Sequence, residues 1–107
     1  MREYIQYLKL KKPVNIIFDN RGNRWADADY ETEYCDTTGK ITCHVIRVYN
    51  NKDSRDSLTL IAHELIHAWQ AENNKTEIHG PYFVKLAKKM ETKFGLREVY
   101  LPGIDEE

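Results

Sequence analysis

The sequence predicts an α+β fold: a small antiparallel three-stranded sheet with helices packed on one face. Three observations predict it. Residues Ala26 to Tyr34 alternate strictly, with Ala26, Ala28, Tyr30, Thr32 and Tyr34 on one side and Asp27, Asp29, Glu31 and Glu33 on the other. Two further runs, Val14 to Phe18 and Ile41 to Tyr49, are rich in β-branched residues. Beyond them, apolar residues recur at helical spacing in two stretches separated by Asn73-Asn74 and Pro81.

The elements follow in order. Tyr4 to Leu10 reads as a short helix whose apolar side is Tyr4, Ile5 and Leu8. Pro13 is expected to end it, because the residue before a proline avoids the helical region. Val14 to Phe18 is the first strand, and Asp19-Asn20-Arg21-Gly22-Asn23 is turn chemistry. The second strand is expected from Trp25 to Cys35, since period two with one acidic face describes a half-buried antiparallel strand. Asp36 to Lys40 turns the chain, and Ile41 to Tyr49 returns as the third strand. After a loop over Asn50 to Ser54, Leu58, Ile61, Ala62, Leu65, Ile66 and Trp69 mark a helix. Asp53 or Ser54 would cap it, and Asn73-Asn74 would stop it. The last helix opens on Pro81, carries the stripe Phe83, Leu86, Ala87, Met90 and Phe94, and closes at Gly95. Residues 1–100 form one domain; 101–107, with a proline, a glycine and three acids, is expected to be a mobile tail.

Charge and composition exclude several classes. The chain has 107 residues, 16 basic and 17 acidic, for a net charge of -1. That balance carries no global footprint for nucleic acid or an anionic membrane. No apolar run approaches a membrane span. Met1 to Lys12 is interrupted by charges and lacks the apolar stretch of a secretory signal, so a cytoplasmic monomer is the expectation. Cys35 and Cys43 flank Gly39 at equal distances. A reduced pair is expected, with a cross-strand disulfide or a second metal site as the alternatives.

The chemistry concentrates in His63-Glu64-Leu65-Ile66-His67, an HExxH sequence on the predicted helix. Residues four apart share a helix face, so His63 and His67 can hold one cation. Glu64, beside His63, can reach a water that the metal activates without itself ligating the metal. A catalytic zinc takes three protein ligands and keeps a fourth position open. His79, at the head of the next helix, is the leading third ligand; Glu77 and Glu91 are the acidic alternatives, and Glu72 points away on an ideal helix. The expected reaction is hydrolysis of a peptide bond, with Glu64 as proton acceptor and then donor. Tyr82, Tyr100 and Arg97 are candidates for a further donor to the oxyanion. His44, on the third strand, is expected to be exposed or structural. The lysines Lys85, Lys88, Lys89 and Lys93 read as a solvated helix face, with phosphate contact as the functional alternative.

The segment His63 to Met90 resembles the SprT-like zinc metallopeptidases, the family that includes the Spartan DNA–protein crosslink proteases. Their pattern is HExxH, a small residue and an aromatic, then a loop, then His-Gly-x-x-Phe opening a helix. Here it is His63, Glu64, His67, Ala68 and Trp69, followed by His79-Gly80-Pro81-Tyr82-Phe83. The close match covers about a quarter of the chain. The resemblance implies a zincin-like minimal metallopeptidase core, one zinc ion on His63, His67 and His79, and Glu64 as catalytic acid/base. It excludes the metzincin pattern, whose third histidine would fall at Asn73. The family's cysteine-rich zinc ribbon has no counterpart in this sequence. The expected partner is a protein or peptide substrate, with DNA-bound or DNA-crosslinked proteins as the family-derived possibility. The competing readings are a non-catalytic, zinc-stabilised module that binds DNA or protein, and a metal-free domain with coincidental histidines.

Overall fold

A computed structural model describes residues 2–52 and 54–101. Along the chain run helix α1 (Arg2–Leu8), strands β1 (Val14–Asp19), β2 (Ala28–Tyr34) and β3 (Ile41–Tyr49), and helices α2 (Ser57–Glu72) and α3 (Pro81–Phe94). This is the α+β composition expected from the sequence. Among the described residues no helix is long and apolar enough to cross a membrane.

The sheet departs from expectation. Its order is β1-β3-β2, with β1 parallel and β2 antiparallel to β3, so the sheet is mixed rather than antiparallel. The cause lies in the segment after β1. Asp19 to Asn23 does turn the chain, but the crossing to β2 leaves a strand's width open, which β3 fills. Asn51, just past β3, holds that crossing. Its Nδ2 donates to the carbonyls of Asn23 and Ala26 and to Asp27 Oδ1, while its Oδ1 accepts from Asn23 N–H. The β2–β3 hairpin follows the sequence reading, turning through Gly39 in the left-handed region (φ 71°).

The register also decides the cysteine question. Glu33 pairs with Cys43, whereas Cys35 N–H donates to the Lys40 carbonyl beyond an irregularity at Glu33/Tyr34. The two cysteines are therefore offset along the hairpin, and both are free thiols.

Element ends shift for local reasons. The first helix ends at Leu8 rather than Leu10, because Lys9 takes a left-handed conformation (φ 54°) well before Pro13. The second strand begins at Ala28 rather than Trp25. Trp25 N–H is drawn to Asn23 Oδ1 at 2.8 Å, and its ring is 85% exposed. The cap of α2 is Asp56, whose carboxylate accepts from Leu58 N–H, and not Ser54. Asp53 and the tail 102–107 lie outside the described residues. Asn73 and Asn74 close α2, and Gly80, Pro81 and Gly95 bound α3 as the sequence predicts.

On β3, His44, Ile46 and Val48 are buried and face α2, while the alternate residues are half-buried. Helix α2 makes the main contact with the sheet, and α1 and α3 pack on α2. The core joins Ile46 and Val48 to Leu60, Ile61, Leu65 and Ile66, with Phe83, Ala87, Met90 and Val99 beyond.

His44 is fully buried, which corrects the exposed reading and favours the structural one. Its Nε2–H donates to Glu72 Oε2 at 2.6 Å, and its Nδ1 meets the Tyr30 hydroxyl at 2.7 Å. Glu72 also accepts from the backbone N–H groups of Lys11 and Lys12. One carboxylate thus ties α2 to β3 and to the α1–β1 linker. Burial opposes its charge, but the bonds from His44, Lys11 and Lys12 outweigh burial and hold the carboxyl below its ordinary value. Such a carboxyl stabilises the fold above its unfolded pKa and ceases to do so as pH falls through the folded one. Glu72→Gln is therefore expected to cost about 2 kcal/mol near neutrality, from weakened buried hydrogen bonds. It should also flatten the acid limb of stability below the ordinary carboxylate range. Urea denaturation across pH checks both; an unchanged acid limb would remove Glu72 from this role.

Candidate metal centre

The site grows out of α2. Leu60, Ile61, Ala62, Leu65, Ile66 and Ala68 are at most 2% exposed, so this helix is buried on most sides and its polar groups sit inside the domain. His63 and His67 leave the same face, with ring centroids 5.0 Å apart. Past Asn74, left-handed at φ 56°, the chain turns back through Glu77–Gly80, closed by Gly80 N–H to the Glu77 carbonyl. That turn brings His79 to 5.2 and 5.1 Å from the other two rings. Gly80 is needed there, since a Cβ would lie 2.6 Å from Glu77 Cβ. Phe83, fully buried in the first turn of α3, lies against all three imidazoles at 4.7, 4.8 and 4.9 Å. It forms an apolar floor.

The ligand-capable atoms of His63, His67 and His79 lie within 4.8 Å of one another. The hydrogen bonds say which atoms these are. His63 Nδ1–H donates to the Val99 carbonyl at 2.7 Å. His67 Nδ1–H donates to Gln70 Oε1 at 2.8 Å, and the orientation of that amide follows from Gln70 Nε2 donating to the Glu77 carbonyl. In each neutral ring this leaves Nε2 as the atom with the lone pair. His63 Nε2 and His79 Nε2 are 3.3 Å apart. Two nitrogens bound at zinc-like lengths in a tetrahedron would be about 3.3 Å apart, so this pair stands at ligand spacing, and the third nitrogen is close enough for the three to hold one ion.

Gln70 is a residue that the sequence reading missed. It is buried and joins His67 to the turn that carries His79. Its position three residues after His67, on the same helix face, was the available signal. Gln70→Leu is expected to weaken metal binding about 10- to 100-fold while the fold persists, as substitutions behind metal ligands do. Competition with a chromophoric chelator measures this; unchanged affinity would refute the link. The Val99 carbonyl, the other partner, had no signal in the sequence. It is placed by the segment after α3, where Val99 N–H donates to Glu91 Oε2 and the Arg97 carbonyl accepts from Thr59.

The acidic alternatives for the third ligand are occupied elsewhere. Glu91 holds Val99, Glu72 holds His44, and the Glu77 side chain lies against Gly80. Of the three candidates for an oxyanion donor, Tyr100 is the one beside the cluster, its ring 6.3 Å from that of His79. Tyr82 lies on the outer surface, 6.2 Å from Trp69 and under Lys75 Nζ at 4.3 Å. Arg97 is exposed, and it is its carbonyl that is held by Thr59.

The imidazoles open into a cleft of about 480 Å³. Ala28, Asp29 and Tyr30 of β2 form one wall, and Ile78 and His79 form another. Glu64, only 7% exposed, lines this cleft and also a neighbouring one of about 300 Å³ bordered by Arg24, Trp25 and Arg55. Glu64 therefore lies where the two clefts adjoin. Strand β2 is a sheet edge beside it. Tyr49 N–H donates to the Asp27 carbonyl, so by alternation Asp29, Glu31 and Glu33 turn their backbone groups toward β3. Those of Ala28, Tyr30 and Thr32 point out from the edge. Burial raises the pKa of the Tyr30 hydroxyl, with Tyr34 and Glu72 adding to the effect. Its ring stands 6.5 Å from that of His67.

No protein-family model matches the sequence, and comparisons with curated proteins and with solved structures return no match.

Proposed function

We propose that the protein is a zinc-dependent endopeptidase with a SprT-like, zincin-type core, in which His63, His67 and His79 hold the metal and Glu64 is the catalytic acid/base. The reading is carried by one observation: three imidazoles converge through Nε2 on a point in a groove that a buried glutamate shares. Zinc bound there would supply Lewis acidity toward water and toward a peptide carbonyl. The rest belongs to the chain. The Val99 carbonyl and Gln70 fix the ring tautomers, and Phe83 excludes water from beneath them. Glu64 holds a proton at its carboxylate between water and the leaving amine. The open edge of β2 supports an extended substrate, which would add itself to the sheet as a further strand.

A closed, non-catalytic centre would need a fourth protein ligand. Among the described residues the cluster has three. The family-derived link to DNA-bound substrates has a weaker basis, the exposed lysines Lys85, Lys88, Lys89 and Lys93 on α3. The test is hydrolysis of an unfolded protein, with and without DNA, by zinc-loaded wild type and Glu64→Gln. Cleavage by the wild type alone supports the reading. Equal behaviour of the two proteins overturns it.

A further inference from the structure

A second cleft, larger than the one at the metal centre, lies beyond it and contains none of the three imidazoles. It measures about 690 Å³ and adjoins the metal cleft through Gln70 and Lys75, which line both. Four lysines border it: Lys11 and Lys12 from the α1–β1 linker, Lys40 from the hairpin turn, and Lys75 from the segment after α2. These come from three separate parts of the chain, so the cluster is a product of the fold rather than a basic run.

The opposing charge is small. Glu72 is the carboxylate in the lining, and its oxygens accept from His44, Lys11 N–H and Lys12 N–H. The C-terminal end of α2 adds a partial negative charge. Lys75 Nζ itself lies over the Tyr82 ring, but Lys11, Lys12 and Lys40 still outnumber the one carboxylate, so the lining carries a net positive charge.

Its placement gives this charge a meaning. Strand β2 enters the metal cleft at Ala28–Tyr30 and reaches the basic cleft at Tyr34, whose ring lines it and is 58% exposed. Four residues of strand cover about 13 Å. A chain paired with the outer edge of β2 would pass from one cleft to the other. Antiparallel pairing, the slightly more stable arrangement, would lay the residues preceding the scissile bond over the lysines.

Resting on the peptidase reading, we propose that the Lys11, Lys12, Lys40 and Lys75 cleft is a substrate subsite for acidic side chains, four to six residues N-terminal to the bond cut. An extended polypeptide is favoured over nucleic acid because the cleft is continuous with the strand edge and carries an aromatic at its rim. The subsite selects substrates by charge at a distance from the chemistry.

The test uses two fluorescein-labelled peptides built around a bond that the zinc-loaded protein cuts in unfolded casein. One carries Asp-Glu-Asp four to six residues N-terminal to that bond, and the other carries Asn-Gln-Asn. The acidic peptide is expected to show about fivefold higher kcat/KM at low salt, as a few exposed ion pairs would give, expressed in KM. The ratio should fall to about one in 0.5 M NaCl and in the Lys12→Gln/Lys40→Gln variant. Equal rates for the two peptides in the wild type overturn the proposal and leave the peptidase reading standing. So does a preference that survives in the variant, or displacement of both peptides equally by a 20-base-pair DNA duplex. If no bond in casein is cut, the peptidase reading fails. Fluorescence anisotropy of the two peptides on zinc-loaded Glu64→Gln then decides the subsite by itself: tighter, lysine-dependent binding of the acidic peptide supports it, and equal binding overturns it.

Discussion

Glu64→Gln is expected to keep the fold and the bound metal while slowing peptide hydrolysis about a thousandfold, within the range that a positioned acid/base contributes. The substitution is nearly isosteric at a side chain that is 7% exposed, so packing has little reason to change. What is lost is a group able to take and return a proton. Glu64 lines both clefts beside the imidazoles, so a substrate spanning them would pass this residue. Steady-state cleavage of a quenched peptide, with zinc content and melting temperature measured on the same samples, separates the outcomes. A variant as fast as wild type removes Glu64 from the chemistry. A variant that also loses zinc would make Glu64 part of the metal site instead.

His79→Ala should act at the other level. Its ring is half-buried at the mouth of the cluster, and its removal leaves two ligands on α2. Metal affinity is expected to fall by more than about a hundredfold, the upper range reached by changes behind the ligands alone. The consequence appears in stability. A metal at a thousand times its Kd stabilises a fold by about 4 kcal/mol, on the order of 20 °C for a domain of this size. Wild type should show that rise when zinc is added; His79→Ala should not, while melting near the metal-free wild type. A variant that binds zinc as tightly as wild type would take His79 out of the ligand set.

The parts of this protein legible in its sequence were those written in local spacing. His63 and His67 share a face because they are four apart, and Gly80-Pro81 marks the start of α3 wherever the rest of the chain goes. His79 then follows from the short path between two predicted helices. Sheet order was not legible, because turn residues at Asp19 to Asn23 report a bend and not which strand will fill the space beside β1. Nor was the role of His44. Alternation along β3 puts it on the same face as Ile46 and Val48, but its partners Tyr30 and Glu72 are fourteen and twenty-eight residues away. Gln70 was masked by its position in an apolar helix, and the Val99 carbonyl, being backbone, has no residue type to betray it.

The bond from His63 to Val99 bears on how the protein is made. By the time His79 has left the ribosome, every proposed metal ligand has been synthesised. The acceptor that sets the tautomer of His63 comes twenty residues later, on the segment after α3. A nascent chain therefore carries all three imidazoles before it carries the geometry to use them. The bond that sets the tautomer of His63 forms only once residues 96–100 have folded back onto α2, where Thr59 also holds the Arg97 carbonyl.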